Sequence, residues 1–135
     1  MLNILFVCTA NSVRSQMAEG LARVMRRFDG VMSAGTEPTT VNPLAVEAMR
    51  EIGIDISAQR SKPLTPELLA WADVLITLCG DARDRCPLLP PGKRHLHWGI
   101  DDPAAVTGSR ADRLDAFRRT RDTIRKRLDE ESTSV

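Results

Sequence analysis

The apolar run Ile4-Leu5-Phe6-Val7 passes directly into Cys8-Thr9-Ala10-Asn11-Ser12-Val13-Arg14-Ser15, and then into Gln16 to Met25, where apolar residues recur at helical spacing. No other stretch limits the fold as much. Consecutive apolar residues without polar alternation suit a strand covered on both faces, as in parallel sheets. The polar stretch after it therefore lies where a parallel strand ends and its crossover helix begins. The first turn of a helix has backbone N–H groups without intrahelical partners and the positive end of the macrodipole, so such a junction attracts oxyanions.

Cys8 and Arg14 bracket this junction in a C-x5-R spacing. A free thiol is only about 3% ionised at neutral pH. Unpaired N–H donors, a helix N-terminus and a guanidinium all favour the thiolate, which is the nucleophile. The amides of Thr9, Ala10, Asn11, Ser12, Val13 and Arg14, with the planar fork of Arg14, are placed to hold a tetrahedral oxyanion while the sulfur attacks its central atom in line. Ser12 and Ser15 offer hydroxyls to the thiolate or the loop. Asn11 tolerates the left-handed backbone that a tight cradle needs. A bare C-x5-R matches often by chance. Here the strand before it, Ser15 after it and the helix beyond all fit the chemistry.

At 135 residues the chain is expected to form one α/β domain over 1–130, with a frayed tail at 131–135. A formal net charge of +1 gives no reason to expect nucleic acid or a membrane surface as partner. No basic segment followed by a long apolar core opens the chain, so a cytoplasmic protein is expected. Three cysteines are an odd number, which favours reduced thiols with a chemical use over a structural disulfide.

Further along, Gly30 to Gly35 reads as a short strand, and Asn42-Pro43 as an N-cap and first helical residue. Leu44, Val46, Ala48, Met49 and Ile52 give that helix an apolar side, and Gly53 ends it. Thr65-Pro66 caps a second short helix through Trp71. Val74 to Leu78 is a buried strand, His95 to Trp98 a weaker one, and Ala111 to Glu130 a helix with Leu114, Phe117, Ile124 and Leu128 inward. Strands alternating with helices predict a doubly wound α/β fold: a four-stranded parallel sheet, order 2-1-3-4, with helices on both faces.

Cys79 and Cys86 lie seven apart after the third strand. If that segment is helical, they are about 10.5 Å apart along the axis. A disulfide needs Cα atoms within about 7 Å, so joining them requires the helix to unwind. Gly80 and a run of charged residues make unwinding easy. A thiol pair offered only on local melting has the character of a redox switch. Past the last strand, an aspartate before Pro103 can protonate a departing oxygen, and partial burial would raise its pKa toward that task. Asp102 is the first choice and Asp101 the second. His95 and His97 are read as packing or surface residues, and no metal site is expected.

Val-Cys-Thr-Ala-Asn-Ser-Val-Arg-Ser-Gln-Met-Ala-Glu-Gly at 7 to 20, Ser-Ala-Gly-Thr at 33 to 36, Thr-Leu-Cys-Gly-Asp-Ala-Arg-Asp-Arg-Cys-Pro at 77 to 87 and the Asp102-Pro103 pair resemble the low-molecular-weight protein tyrosine phosphatase superfamily, and its thioredoxin-coupled arsenate reductase branch most of all. The resemblance implies that Cys8 attacks arsenate, Asp102 protonates the leaving oxygen, Cys79 attacks Cys8, and Cys86 resolves the disulfide for thioredoxin to reduce. Arsenate, or phosphate or sulfate in its place, and thioredoxin are then the partners of a monomer without a bound cofactor. Some relatives hold potassium through residues matching Asn11, Glu19 and Ser33; this chain has Lys62 where they have an aspartate, so no potassium dependence is expected. Tyrosine phosphatases of the superfamily usually follow Asp-Pro with aromatic residues. Ala104-Ala105 follow here, and the chain has no tyrosine. The alternatives are an aryl phosphatase and a non-catalytic oxyanion-binding redox sensor.

Overall fold

The computed structural model describes residues 2–85 and 91–131, with side chains at all of these but 81, 85 and 131. Cys86, the segment through 90 and the tail at 132–135 lie outside the described residues. Four parallel strands, β1 (Asn3–Cys8), β2 (Gly30–Gly35), β3 (Val74–Thr77) and β4 (Arg94–His97), form one sheet in the order β2-β1-β3-β4. This is the 2-1-3-4 order read from the sequence. The helices are α1 (Arg14–Met25), α2 (Pro43–Arg50), α3 (Pro66–Trp71), α4 (Gly80–Arg85) and α5 (Arg110–Glu131), with a 3-10 turn at Pro103–Ala105.

β1 is central, and Ile4, Leu5, Phe6 and Val7 are all at most 1% exposed. Burial of both faces explains the unbroken apolar run, since each such side chain contributes about 1.5–3 kcal/mol when removed from water. Ile4 and Phe6 stand level with Val74 and Ile76, and Leu5 and Val7 with Leu75 and Thr77. Beyond β4, Trp98 is buried and tilts against Phe6, with ring centroids 6.1 Å apart. This register puts the ends of β1 and β3, and with them Cys8 and the start of Cys79, on the same rim of the sheet.

The caps are as the sequence predicts. Asn42 Oδ1 accepts the Leu44 N–H at 2.8 Å and Thr65 Oγ1 the Leu68 N–H at 3.2 Å, each with proline as the first helical residue. After α2 the chain leaves through Gly53, φ 80°, with Gly53 N–H donating to Arg50 O and Ile54 N–H to Met49 O. These paired bonds form a glycine-terminated Schellman turn. α1 starts at Arg14, two residues before the Gln16 to Met25 stretch of helical spacing, and stops at Met25 because Arg26 turns left-handed at φ 56°. Leu114, Phe117, Ile124 and Leu128 of α5 are buried as predicted. Arg121 fastens α5 to α2, donating to Ala48 O at 2.8 Å and Glu51 Oε1 at 3.0 Å. The hydrogen bond from Arg118, joined by Arg121, holds the Glu51 carboxyl below its ordinary value.

Candidate active site

Between the end of β1 and the first turn of α1, the backbone carbonyls turn outward and each meets a donor. Thr36 N–H donates to Cys8 O (3.2 Å), Glu37 N–H to Thr9 O (2.8 Å), Thr39 N–H to Ala10 O (3.0 Å), Asn42 N–H to Ser12 O (3.0 Å) and Met17 N–H to Val13 O (2.9 Å). Asn11 O takes the Gln16 side-chain amide at 3.1 Å. In a planar trans peptide the carbonyl and the following N–H point opposite ways. Fixing the carbonyls outside therefore turns the N–H groups of Ala10 through Arg14 toward one hollow. Val13 stands at the N-cap of α1 without a side-chain cap, which leaves the helix start to an external anion.

That hollow is a cavity of about 130 Å³ lined by Cys8, Ala10, Ser12, Val13, Arg14, Thr39, Asp102 and Ala104. A larger open groove, about 640 Å³, runs along α2 but has no cysteine in its lining. Cys8 lies on the cavity floor, 2% exposed and paired in register with Gly35. A Cβ on Gly35 would stand 2.6 Å from Thr9 O and 2.9 Å from Asn11 N, so glycine is what lets β2 approach this closely. Ser15 Oγ sits 2.9 Å from Cys8 Sγ and accepts from Asn11 Nδ2 at 2.7 Å. Because the amide supplies that proton, the serine's own hydrogen is left to point at the sulfur, an interaction that an anionic sulfur accepts.

Arg14 is held over the same hollow, its side chain 12% exposed. Nη1 donates to Ile100 O at 2.9 Å, Nη2 is 3.9 Å from Asp102 Oδ2, and buried Nε has no partner among the described residues. An unpaired buried donor costs about 1–3 kcal/mol, a penalty that an oxyanion in the cavity would remove. Asp102, rather than Asp101, lines the cavity. The partial burial expected of it is not found: its side chain is 44% exposed at the lip, where Oδ1 caps the 3-10 turn by accepting the Ala104 N–H at 3.0 Å.

Cys79 lies beside this floor. Its Sγ is 3.3 Å from Thr9 Oγ1, on the residue next to Cys8, and accepts the Ala82 N–H at 3.3 Å. Its carbonyl accepts the Arg83 N–H at 3.1 Å, which makes Cys79 the N-cap of α4. The sequence left this segment open, because it has no apolar face to mark a helix. Cys8 and Cys79 are both buried free thiols.

Behind the cradle, Asn11 is fully buried with φ 48°. Its Nδ2 also donates to Ser33 Oγ at 2.9 Å, and Ser33 Oγ donates to Glu19 Oε1 at 2.6 Å. Glu19, 3% exposed, faces Arg23 Nε at 3.1 Å and Lys62 Nζ at 3.4 Å. On the far strands, Thr77 Oγ1 lies 3.0 Å from His95 Nε2 and 2.8 Å from His97 Nδ1, and burial, with His97 beside it, pushes the His95 pKa down. Among the described residues no group of three or more potential ligands is set to hold a metal ion. Sequence reasoning set Lys62 beside Glu19, as found, but missed the donors at Thr36, Glu37 and Thr39, the Ile100 carbonyl, the cross-links from Gln16 and the Lys62 backbone bond to Asn11. Only the helix-start position of Gln16, three residues after Val13, gave any local signal.

Fold and cradle together define a class: doubly wound α/β proteins with a cysteine sulfur at the floor of an oxyanion-sized loop. The family model described as low molecular weight phosphotyrosine protein phosphatase matches residues 3–135, and the chain belongs to that family. An arsenate reductase of Bacillus licheniformis is 51% identical over 126 residues, covering 93% of this chain and 91% of the relative. A solved structure of an arsenate reductase in the phosphate-binding state matches with a TM-score of 0.79 at 34% identity, over 100% of this chain and 99% of that one. The thioredoxin-dependent arsenate reductase of Corynebacterium glutamicum matches with a TM-score of 0.75 at 30% identity, over 100% of this chain and 64% of that one. No helix among the described residues is long and apolar enough to cross a membrane.

Proposed function

We infer that this chain is an arsenate reductase, and that Cys8, Cys79 and Cys86 pass two electrons to arsenate in sequence. The observation that carries the reading is the second thiol: Cys79 Sγ hydrogen-bonds the residue adjacent to Cys8, where a phosphatase has no use for it. Arsenate is held by the loop amides and Arg14, as the unpaired Nε and the outward carbonyls support. Cys8 forms a sulfur–arsenic bond as one oxygen leaves as water, protonated by Asp102. Cys79 then attacks Cys8 Sγ; the sulfur–arsenic bond breaks, its electron pair stays on arsenic, and arsenite departs from a Cys8-Cys79 disulfide. Cys86 attacks Cys79, frees the Cys8 thiolate and leaves Cys79-Cys86, which a thioredoxin dithiol reduces by exchange. The working unit is a monomer, acting in the reducing cytoplasm.

The test is NADPH consumption with thioredoxin and its reductase, with and without arsenate, beside hydrolysis of an aryl phosphate. Arsenate-dependent consumption is expected with slow aryl hydrolysis, since Ala104 at the lip offers no ring to an aryl group. Aryl hydrolysis without arsenate-dependent consumption would make the chain a phosphatase, and neither activity would leave the redox sensor. In Cys86→Ser, turnover should stall with Cys8 and Cys79 linked, and mass spectrometry that finds no such bond would defeat the thiol relay.

The reaction needs no potassium in this reading. Lys62 Nζ lies 3.4 Å from Glu19 Oε1 and donates to Arg60 O at 2.8 Å, so an ammonium already stands beside the buried carboxylate. Replacing sodium by potassium chloride at constant ionic strength should leave kcat/KM within about 1.5-fold, because the local cation is covalently attached. A several-fold stimulation would refute this.

A further inference from the structure

We propose that Gln16 is a positioning residue for the reaction, holding Asn11 in its left-handed turn so that the cradle amides converge on the oxyanion. The inference rests on the reading of the cradle as the arsenate site. Gln16 is fully buried, in the first turn of α1. Its Nε2 lies 3.1 Å from Asn11 O, 3.0 Å from Asn11 Oδ1 and 2.9 Å from Arg60 O. Gln59 Nε2 donates to Gln16 Oε1 at 2.8 Å and to Gln16 O at 3.1 Å. The amide orientation is thereby forced: the reverse would face an oxygen against three acceptors and a nitrogen against a donor.

This one amide reaches both the backbone and the side chain of Asn11. Asn11 is the turn at which the cradle doubles back, and a non-glycine residue enters the left-handed region only when its surroundings over-determine it. Lys62 N–H adds a bond to Asn11 Oδ1 at 2.8 Å, and Ser61 Oγ donates to Ala10 O at 2.9 Å. The Gln59–Lys62 strap therefore grips the back of the cradle, and Gln16 is the side chain that joins strap, helix and turn. It stands behind the loop and is not among the residues lining the cavity. It acts through Asn11.

Gln16→Glu isolates the donor, because the new carboxyl keeps an acceptor for Gln59 and loses both N–H groups when ionised. Gln16→Met removes donor and acceptor at every pH. Sulfate is the probe, since its charge is constant between pH 5.5 and 8; its dissociation constant is read by calorimetry, beside arsenate kcat and KM. In Gln16→Met the sulfate dissociation constant should rise about tenfold at every pH, the scale of one or two lost hydrogen bonds. In Gln16→Glu the rise should match this at pH 8 and narrow to about threefold at pH 5.5, as protonation restores one O–H donor. Arsenate KM should follow, with kcat falling less than about threefold, because the Ser15–Cys8 contact is untouched. Sulfate affinity in Gln16→Met within twofold of wild type overturns the inference, as does a Gln16→Glu deficit that stays constant down to pH 5.5. Should neither variant fold, Gln59→Leu on the exposed side of the network is expected to weaken sulfate about threefold, and unchanged affinity there overturns it equally. Wild-type protein that binds no sulfate would fail in a different arm, striking the cradle reading and this inference together.

Discussion

The two thiol-bearing segments on the rim of the sheet are built in opposite ways. Around Cys8, every carbonyl from Cys8 to Val13 is fixed by a named donor, the buried Asn11 amide uses both its oxygen and its nitrogen, and β2 comes so close that Gly35 has no room for a methyl group. Around Cys79 there is a helix of six residues that starts with glycine, exposes Arg83 and Asp84, and buries Ala82. Isolated helices below about 12 residues are marginal in water, so α4 depends on its N-cap and on the little it packs against. A cradle that stabilises developing charge must not reorganise at the moment of reaction. A segment whose sulfur must change partners has to let go. Among the described residues the long-range hydrogen bonds gather around the first, while the second keeps the contact of Cys79 Sγ with Thr9 Oγ1.

Damage to the cradle should therefore be felt in the first chemical stage and should be large. Arg14→Lys keeps the charge but loses the planar fork and the Ile100 anchor. About a hundredfold loss in kcat/KM for arsenate is expected, from the size of effect that single oxyanion-binding donors produce. A loss below fivefold would mean that the fork is not what holds the oxyanion. Ser15→Ala removes the hydroxyl 2.9 Å from Cys8 Sγ and strands a buried Asn11 donor. The alkylation rate of Cys8 by iodoacetamide at pH 7, followed by mass spectrometry, should fall about tenfold, and arsenite release in a single turnover with it. Equal alkylation rates in the two proteins would remove Ser15 from the activation of the thiol.

The same contrast decides what could be read from the chain. Strand order, the caps at Asn42 and Thr65 and the inward side of α5 are carried by local periodicity and by single capping residues, and they are as the sequence predicts. Cys8 and Arg14 were legible for the same reason, being close in sequence at one strand–helix junction. The scaffold of the cradle was not. Its donors come from Thr36 to Asn42 and from Gln59 to Lys62, polar loop residues whose pattern is indistinguishable from solvent-facing loops until the strands bring them together. α4 was ambiguous because it has no apolar stripe: it is organised at its start by a cysteine cap, a residue type with little capping preference. Asp102 was expected to be partly buried, yet the Asp-Pro turn closes on its own carboxylate and keeps it at the surface.

The smallest change probes the weaker half directly. Gly80 begins α4, and among the described residues a Cβ there would meet only Arg83 Nη2, at 3.8 Å. Gly80→Ala thus adds no clash and lowers the backbone entropy of the open segment, favouring the helix by about 0.5 kcal/mol at this terminal position. If Cys79 and Cys86 can join only after α4 opens, that preference taxes the opening step alone. Steady-state kcat with thioredoxin should fall two- to threefold, the Boltzmann factor of about 0.5 kcal/mol, with kcat/KM for arsenate unchanged. Single-turnover arsenite release should keep its wild-type rate if, as proposed, Cys79 attacks Cys8 from its place at the N-cap with the helix intact. Slower arsenite release in Gly80→Ala would show that α4 also moves in the earlier step, and the division between a fixed half and a yielding half would then fall between Cys8 and Cys79 rather than after Cys79.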